Sequence, residues 1–134
     1  MVEEMPQPPI PPEIEELLRK PNPAVVATVR PDGSPHSVAN WYDLVDGLIL
    51  LNLAATRARL EHMRHDRRVS LTVLDVDDWY THVTLIGVIE RLEDDPELAD
   101  IDRLALRYQG HRFRNREAAR VSAWMRCERW YRWD

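Results

Sequence analysis

Short stretches in which apolar and polar residues alternate recur along the chain, and this period of two predicts β-strands. Two of them, AVVATVR and RVSLTVLDV, are rich in β-branched residues, which favours strands further. The others are PHSVANWYD, LILLNL, the long WYTHVTLIGVIERL and the final RVSAWMRCERWYRW. The pattern therefore predicts six strands and a fold that is mainly β.

Two Asp-Gly pairs separate the first three predicted strands. Asp32-Gly33 follows the first run, and Asp46-Gly47 precedes the third. A tight hairpin turn needs positive φ angles, which glycine adopts without strain, so each pair is a strong hairpin signal. We predict a three-strand antiparallel meander over residues 24–53.

Three segments carry the wider apolar spacing of helices. The first is EIEELLRK, which ends before a proline. The second covers residues 56–65, where Thr56 is expected to cap the helix. The third begins at Asp95-Pro96-Glu97, a capping carboxylate followed by proline, and ends at Gly110. Six strands with a few short helices fit a small closed or nearly closed antiparallel barrel.

The prolines mark the organisation of the chain. Nine of the ten lie in residues 1–35, and the run PQPPIPP predicts an extended, polyproline-type segment. We therefore divide the chain into a proline-rich lead, residues 1–12, and a single domain, residues 13–134. The first residues lack the basic start and apolar run of a signal peptide, and no apolar stretch is long enough for a membrane span. We expect a soluble cytoplasmic protein with no membrane partner.

Five arginines are concentrated in one short segment of a chain whose formal net charge is −5 at pH 7. They are Arg57, Arg59, Arg64, Arg67 and Arg68. The overall negative charge argues against a nucleic-acid partner, because a polyanion would be repelled on average. It also weighs against a nucleic-acid stacking platform in the basic and aromatic run RCERWYRW.

Two interpretations of the arginine segment remain open from the residues alone. The segment can be a solvated helix with ion pairs such as Arg57–Glu61, which have the i,i+4 spacing. It can also be an anion site, because the helix begins directly after a strand, where free N–H groups and the helix dipole favour negative charge. Arginine suits a phosphate, which it can bind in a bidentate manner.

Metal and covalent chemistry find little support in the sequence. Cys127 is the only cysteine, so neither an intrachain disulfide nor a cysteine-based zinc site can form. His62 and His65 are three residues apart on a predicted helix, but no third ligand has suitable spacing, so we predict no metal site. The sequence also lacks a glycine-rich phosphate loop and a nucleophile elbow.

Several motifs that follow one another in a fixed order along the chain indicate similarity to a known family. The motif T-x-x-x-D-G-x-P begins at Thr28 and is followed by N-L and then by R-x-R at Arg57. With it, residues 14–133 resemble the split β-barrel flavin and deazaflavin oxidoreductases of the pyridoxamine 5'-phosphate oxidase-like superfamily. The C-terminal LALRYQGHRFRNREAARVSAWMRCERWYRW resembles the branch that uses coenzyme F-420, an 8-hydroxy-5-deazaflavin. The resemblance implies a six-stranded antiparallel split β-barrel, the FMN-binding split barrel.

The resemblance assigns the arginines to a cofactor phosphate. Arg57 and Arg59 would hold that phosphate, and Arg59 stands where the family often has lysine. The three later arginines would either be solvated or would add a positive field for the lactyl-polyglutamate tail of F-420.

The resemblance also places three groups of residues around the cofactor ring. Backbone groups beside the ring or the ribityl chain would come from Asn52, Leu53 and Ala54. The edge of the ring would be followed by Ser37, Val38 and Ala39. The side chains that approach the ring, from the same chain or from a partner chain, would be Trp79, Tyr80 and His82.

The activity that the resemblance implies is hydride transfer between the deazaflavin ring and a small organic substrate, in a homodimer with the cofactor between subunits. Solvent or one of Tyr42, Tyr80, His36 and His82 would supply the proton. The pyridoxal-phosphate-binding residues of the true oxidases are not recognisable, so oxidation of vitamin B6 is not expected. Two alternatives remain: an FMN-binding oxidoreductase of the same fold, and a non-catalytic flavin- or deazaflavin-binding protein.

Overall fold

The computed structural model describes residues 5–134, which form three helices and seven strands. The helices are α1 (Pro12–Arg19), α2 (Ala58–His65) and α3 (Ala99–Gln109). The strands are β1 (Ala24–Val29), β2 (Pro35–Ala39), β3 (Asp43–Val45), β4 (Leu48–Ala54), β5 (Arg68–Leu74), β6 (His82–Asp94) and β7 (Arg120–Trp133).

All the strands belong to one sheet in the order β2-β1-β5-β6-β7-β4-β3, and every neighbouring pair is antiparallel. This confirms the predicted mainly β, antiparallel fold with a few short helices. The described residues contain seven strands where the sequence pattern predicted six. The two hairpin turns are also as predicted, because Gly33 and Gly47 have φ angles of 89° and 81°.

The predicted three-strand meander is wrong. The run PHSVANWYD divides into β2 and β3, which lie at opposite ends of the strand order, and β4 pairs with β3 and β7 but not with β2. The chain leaves the sheet between β2 and β3 because Tyr42 is fully buried there. Its hydroxyl donates to the carbonyl oxygen of Leu18 at the end of α1, at 2.8 Å.

The helix starts differ from those predicted. Helix α3 begins at Ala99, yet Asp95 still caps it, because its carboxylate accepts from the backbone N–H groups of Asp100 and Ile101 at 3.2 and 2.9 Å. Thr56 is not the cap of α2. A turn closed by the Arg57 N–H and the Ala54 carbonyl oxygen (3.0 Å) places Arg57 at the N-cap position instead.

A continuous apolar core fixes the helices on the sheet. Helix α1 contributes Ile14 and Leu18, and α2 contributes Leu60 and Met63, all with at most 1% of their surface exposed. The start of α2 lies beside the end of β4 because only residues 55–57 separate the two elements. Burial of Leu60 and Met63 fixes the rotation of the helix on the sheet.

The proline-rich lead lies against the last strand where it is described. The carbonyl oxygen of Pro6 accepts from the N–H of Trp130 at 3.1 Å, and α1 begins at Pro12. Residues 1–4 of the lead lie outside the described residues, and the division at residue 12 stays a prediction. Among the described residues, every helix is too short or too polar to cross a bilayer.

Candidate functional site: an arginine cleft

A cleft of about 650 Å³ opens where the end of β4 meets the start of α2. Its size is typical of small-molecule sites. We call it the arginine cleft. It is lined by Pro21, Pro23, Ala24, Val25, Ala39, Asn40, Trp41, Asn52, Leu53, Ala54, Arg57, Arg59, Leu74, Ile101, Tyr108, Phe113 and Arg120.

Three arginines from two distant parts of the chain give the cleft its charge. Arg57 and Arg59 lie at the start of α2, and Arg120 joins them because it pairs with Ala54 in the β4–β7 ladder. Within residues 5–134, none of the three forms an ion pair. Three guanidinium groups therefore share one cleft with no carboxylate bound directly to them.

Burial and neighbouring positive charge act on Arg59 and Arg120. Burial lowers the pKa of Arg59, and the neighbouring charges of Arg57 and Arg120 lower it further. Burial also lowers the pKa of Arg120, with a second contribution from Arg57 and a smaller opposing one from Asp95. An anion in the cleft would relieve this repulsion and accept charge-assisted hydrogen bonds.

The later arginines of the same segment have hydrogen-bond partners outside the cleft. The expected Arg57–Glu61 ion pair does not form, because Glu61 pairs with Arg64 instead. The partners are Glu61 for Arg64, Asp66 for Arg68 and, from strand β6, the carbonyl oxygen of Ile89 for Arg67. The solvated-helix interpretation therefore describes Arg64 alone, because Arg67 lies after α2 and Arg68 begins β5. None of these three lines the cleft, whereas the first two arginines of the segment do.

An aromatic cluster forms a second wall of the cleft. The rings of Trp41 and Tyr108 stack with centroids 5.4 Å apart and an interplanar angle of 8°. Phe113 packs edge-on against Trp41 at 6.3 Å, and the Arg120 guanidinium lies 4.7 Å from the centre of the Phe113 ring. Flat apolar surfaces beside unpaired cations suit a ligand with a flat ring and an anionic group.

Six of the residues that the family resemblance assigned to the cofactor line the arginine cleft. They are Ala39, Asn52, Leu53, Ala54, Arg57 and Arg59. Ser37 and Val38 are on the same strand as Ala39 but do not line the cleft. Ser37 is exposed, and the Val38 side chain packs against the core.

The remaining three assigned residues lie outside the cleft of a single chain. The prediction that Trp79 and Tyr80 begin a strand is wrong. A turn closed by the Thr81 N–H and the Asp78 carbonyl oxygen precedes β6, which begins at His82. The two rings stack on each other at 5.3 Å and are 67% and 69% exposed.

None of the four proton donors considered from the sequence lines the cleft. Tyr42 is fully buried, its hydroxyl is bonded within the protein, and burial raises its pKa well above the ordinary range. Of the described residues that line the cleft, only Tyr108 carries an ionisable group other than arginine. Its hydroxyl donates to the carbonyl oxygen of Asn22 at 2.7 Å, and burial raises its pKa.

Among the lining residues that sequence reasoning missed, five carry polar or aromatic side chains: Asn40, Trp41, Tyr108, Phe113 and Arg120. They come from the β2–β3 connection, the end of α3, the loop after it and the start of β7. No local spacing links these segments; strand pairing and the packing of α3 bring them together. Among residues 5–134, no cluster of three potential metal ligands is found.

An antiparallel sheet with this strand order belongs to a fold class that binds flavins or related cofactors. The chain belongs to the pyridoxamine 5'-phosphate oxidase family, whose model matches residues 10–134. This match confirms the resemblance and the split-barrel fold. A comparison with curated proteins finds no match.

Solved structures with the same fold include one of an F420 reductase, with a TM-score of 0.83 and 26% identity over 91% of this chain and 98% of that one. A conserved hypothetical protein of Mycobacterium tuberculosis has a TM-score of 0.73 and 27% identity over 96% and 86% of the two chains. A heme binding protein of Mycobacterium smegmatis is 21% identical, with a TM-score of 0.60, and covers 92% of this chain and 55% of its own. At that identity the likeness shows the fold alone.

Proposed function

We propose that the protein is an oxidoreductase that uses coenzyme F-420 and transfers a hydride between the deazaflavin ring and a small organic substrate. The observation that carries the proposal is the arginine cleft, which stacked aromatic rings line together with three guanidinium groups that form no ion pair within residues 5–134. The likeness to an F420 reductase over nearly the whole chain supports F-420 as the cofactor.

The residues of the cleft fit such a cofactor by their chemistry. Arg57 and Arg59 would bind the phosphate, and the backbone from Asn52 to Ala54 would lie beside the ring or its ribityl chain. When bound, the deazaflavin supplies the hydride chemistry, and the protein binds and orients it. Because the Tyr108 hydroxyl is bonded to a backbone carbonyl, the proton would come from solvent or, in the homodimer proposed below, from Tyr80 or His82 of the partner subunit.

FMN is the second candidate cofactor, because it also joins a flat ring to a phosphate and because the resemblance includes flavin oxidoreductases as well as deazaflavin oxidoreductases. Heme fits the cleft less well, since its iron is held by histidine, cysteine, methionine or tyrosine. Of these four, the described residues that line the cleft include only Tyr108, whose hydroxyl is bonded to the carbonyl oxygen of Asn22. Oxidation of reduced F-420 by enone or imine acceptors, followed by absorbance, tests catalysis; binding without turnover would support the non-catalytic alternative.

We further propose that the protein is a homodimer. Large aromatic side chains are exposed on one part of the surface, including Trp79, Tyr80 and Trp133. They are close in the fold because His82, two residues after Tyr80, pairs with Trp133. Exposed apolar patches of this kind are typical of protein interfaces. Trp79, Tyr80 and His82 would then reach a cofactor bound to the partner copy.

Light scattering at micromolar concentration tests the homodimer. The expected mass is twice the 15.8 kDa of one chain. Exchange of Trp79 for serine should shift the distribution towards monomer, because it removes apolar interface area. A wild-type protein that stays monomeric at this concentration contradicts the proposal, and the cofactor site of a single chain would be unaffected by that result.

A further inference from the structure

Arg120 enters the arginine cleft from the last strand and has an unusual partner. Its Nε donates to the side-chain oxygen of Asn52 at 2.9 Å, and its guanidinium lies over the Phe113 ring. A half-buried arginine is ordinarily paired with a carboxylate, because an unpaired buried charge is costly. Here a neutral amide holds the guanidinium, and the carboxylate of Asp95 on the far side of that amide offsets its charge only in part.

The amide of Asn52 is fixed in one orientation. The side chain is only 5% exposed, and its Nδ2 donates to Asp95 and to the Ser122 hydroxyl at 3.2 and 3.0 Å. The carboxylate of Asp95 is itself committed to two backbone N–H groups at the start of α3. The amide oxygen of Asn52 therefore points to Arg120, and this network orients the guanidinium without cancelling its charge.

We infer that Arg120 is a third anion-binding residue of the cleft, that Asn52 is its positioning residue, and that the bound group carries more than one negative charge. This inference rests on the proposed function. Three cations in one partly buried cleft would keep a net positive charge beside a single negative charge. A phosphate-centred group with at least two negative charges balances them better. Two sources share this chemistry: the phosphate monoester of FMN, and the phosphodiester of F-420 with a carboxylate of its acidic tail.

Substitution of Arg120 tests the inference through binding. Arg120→Gln should weaken the binding of F-420 or FMN by about ten- to hundredfold, as expected for loss of a charge-assisted contact. Binding of the matching ring compounds without phosphate, riboflavin and the 8-hydroxy-5-deazaflavin that carries only the ribityl chain, should stay unchanged. Comparison of the titration with F-420 and the titration with FMN shows which of the two cofactors supplies the anionic group. Arg114→Ala, an exposed arginine outside the cleft, is the matched control and should change neither affinity.

A double-mutant cycle tests the role of Asn52. Asn52→Ala should weaken binding of the phosphate-bearing ligand several-fold in the wild-type background and add almost nothing in the Arg120→Gln background, because it acts through Arg120. The salt dependence of binding should also become shallower in both single variants. If Asn52→Ala does not fold, Arg120→Lys replaces it, and an intermediate loss is expected because the charge remains while the planar fork is lost.

Equal losses for phosphate-bearing and phosphate-free ligands would overturn the inference, since they would show that Arg120 only packs against Phe113. Unchanged affinity in Arg120→Gln would overturn it as well. If Arg57→Ala and Arg59→Ala lose affinity while Arg120→Gln does not, the proposed function stands and this inference fails. If neither cofactor binds the wild-type protein, the proposed function fails. Titration with inorganic pyrophosphate then decides this inference, because only Arg120→Gln and not Arg114→Ala should lose that binding.

Discussion

Arg59→Ala is expected to weaken cofactor binding by about ten- to hundredfold, and Arg57→Ala by a similar factor. Each charge-assisted hydrogen bond to an anion contributes roughly 1.5 to 3 kcal/mol, which corresponds to that range of affinity. Arg59→Lys should lose less, because a lysine keeps the charge but not the bidentate geometry. Calorimetric titration of each variant measures the effect.

Stability separates a binding role from a structural one. Arg59 donates only to the side chain of Asn40 within the described protein, and its neighbours Arg57 and Arg120 repel it. Its removal should therefore leave the free energy of unfolding nearly unchanged. Arg64→Ala is the matched control: it breaks the exposed Arg64–Glu61 pair, costs a few tenths of a kcal/mol at most and leaves affinity intact. Unchanged cofactor affinity in both Arg57→Ala and Arg59→Ala would contradict the anion-site interpretation and favour a solvated surface for the whole arginine segment.

Gly87→Ala is expected to destabilise the fold by about 3 kcal/mol, the upper end for overpacking a core. Gly87 lies at a bulge in the β6–β7 pairing, and a Cβ built there would be 1.9 Å from the carbonyl oxygen of Arg126. The obstacle is backbone of the facing strand, so no side-chain rotation can relieve it. Denaturant unfolding monitored by tryptophan fluorescence measures the loss.

Glu90→Ala on the same strand is the control for Gly87→Ala. Its side chain is exposed, and surface substitutions usually change stability by less than about 0.5 kcal/mol. Equal stability of Gly87→Ala and Glu90→Ala would contradict this prediction. It would show that β6 and β7 can separate at the bulge at little cost in free energy.

Features coded by neighbouring residues were predictable from the sequence. The Asp-Gly turns, the helix end at Gly110 and the alternation in β1 and β5 depend on local backbone preferences and on burial of one strand face. The strand partners were not predictable in the same way. Tyr42 looks like a strand residue, and only its burial under α1 shows why the chain leaves the sheet there.

The candidate site was predictable only in part for the same reason. Arg57 and Arg59 belong to a compact motif at the end of β4, so the motif places them together. Arg120 lies more than sixty residues away in sequence and reaches the cleft through the β4–β7 register. Which of the five arginines line the cleft and which do not also depends on contacts that only the fold supplies. One example is the bond from Arg67 to the Ile89 carbonyl oxygen.

Titration of the wild-type protein with F-420 and with FMN, side by side in a calorimeter, tests the central claim most directly. We predict that F-420 binds with one site per chain and more tightly than FMN. FMN that binds as tightly as F-420, or more tightly, would contradict the assignment of F-420 while leaving the fold and the anion site in place. If neither cofactor bound, the proposed function itself would be wrong.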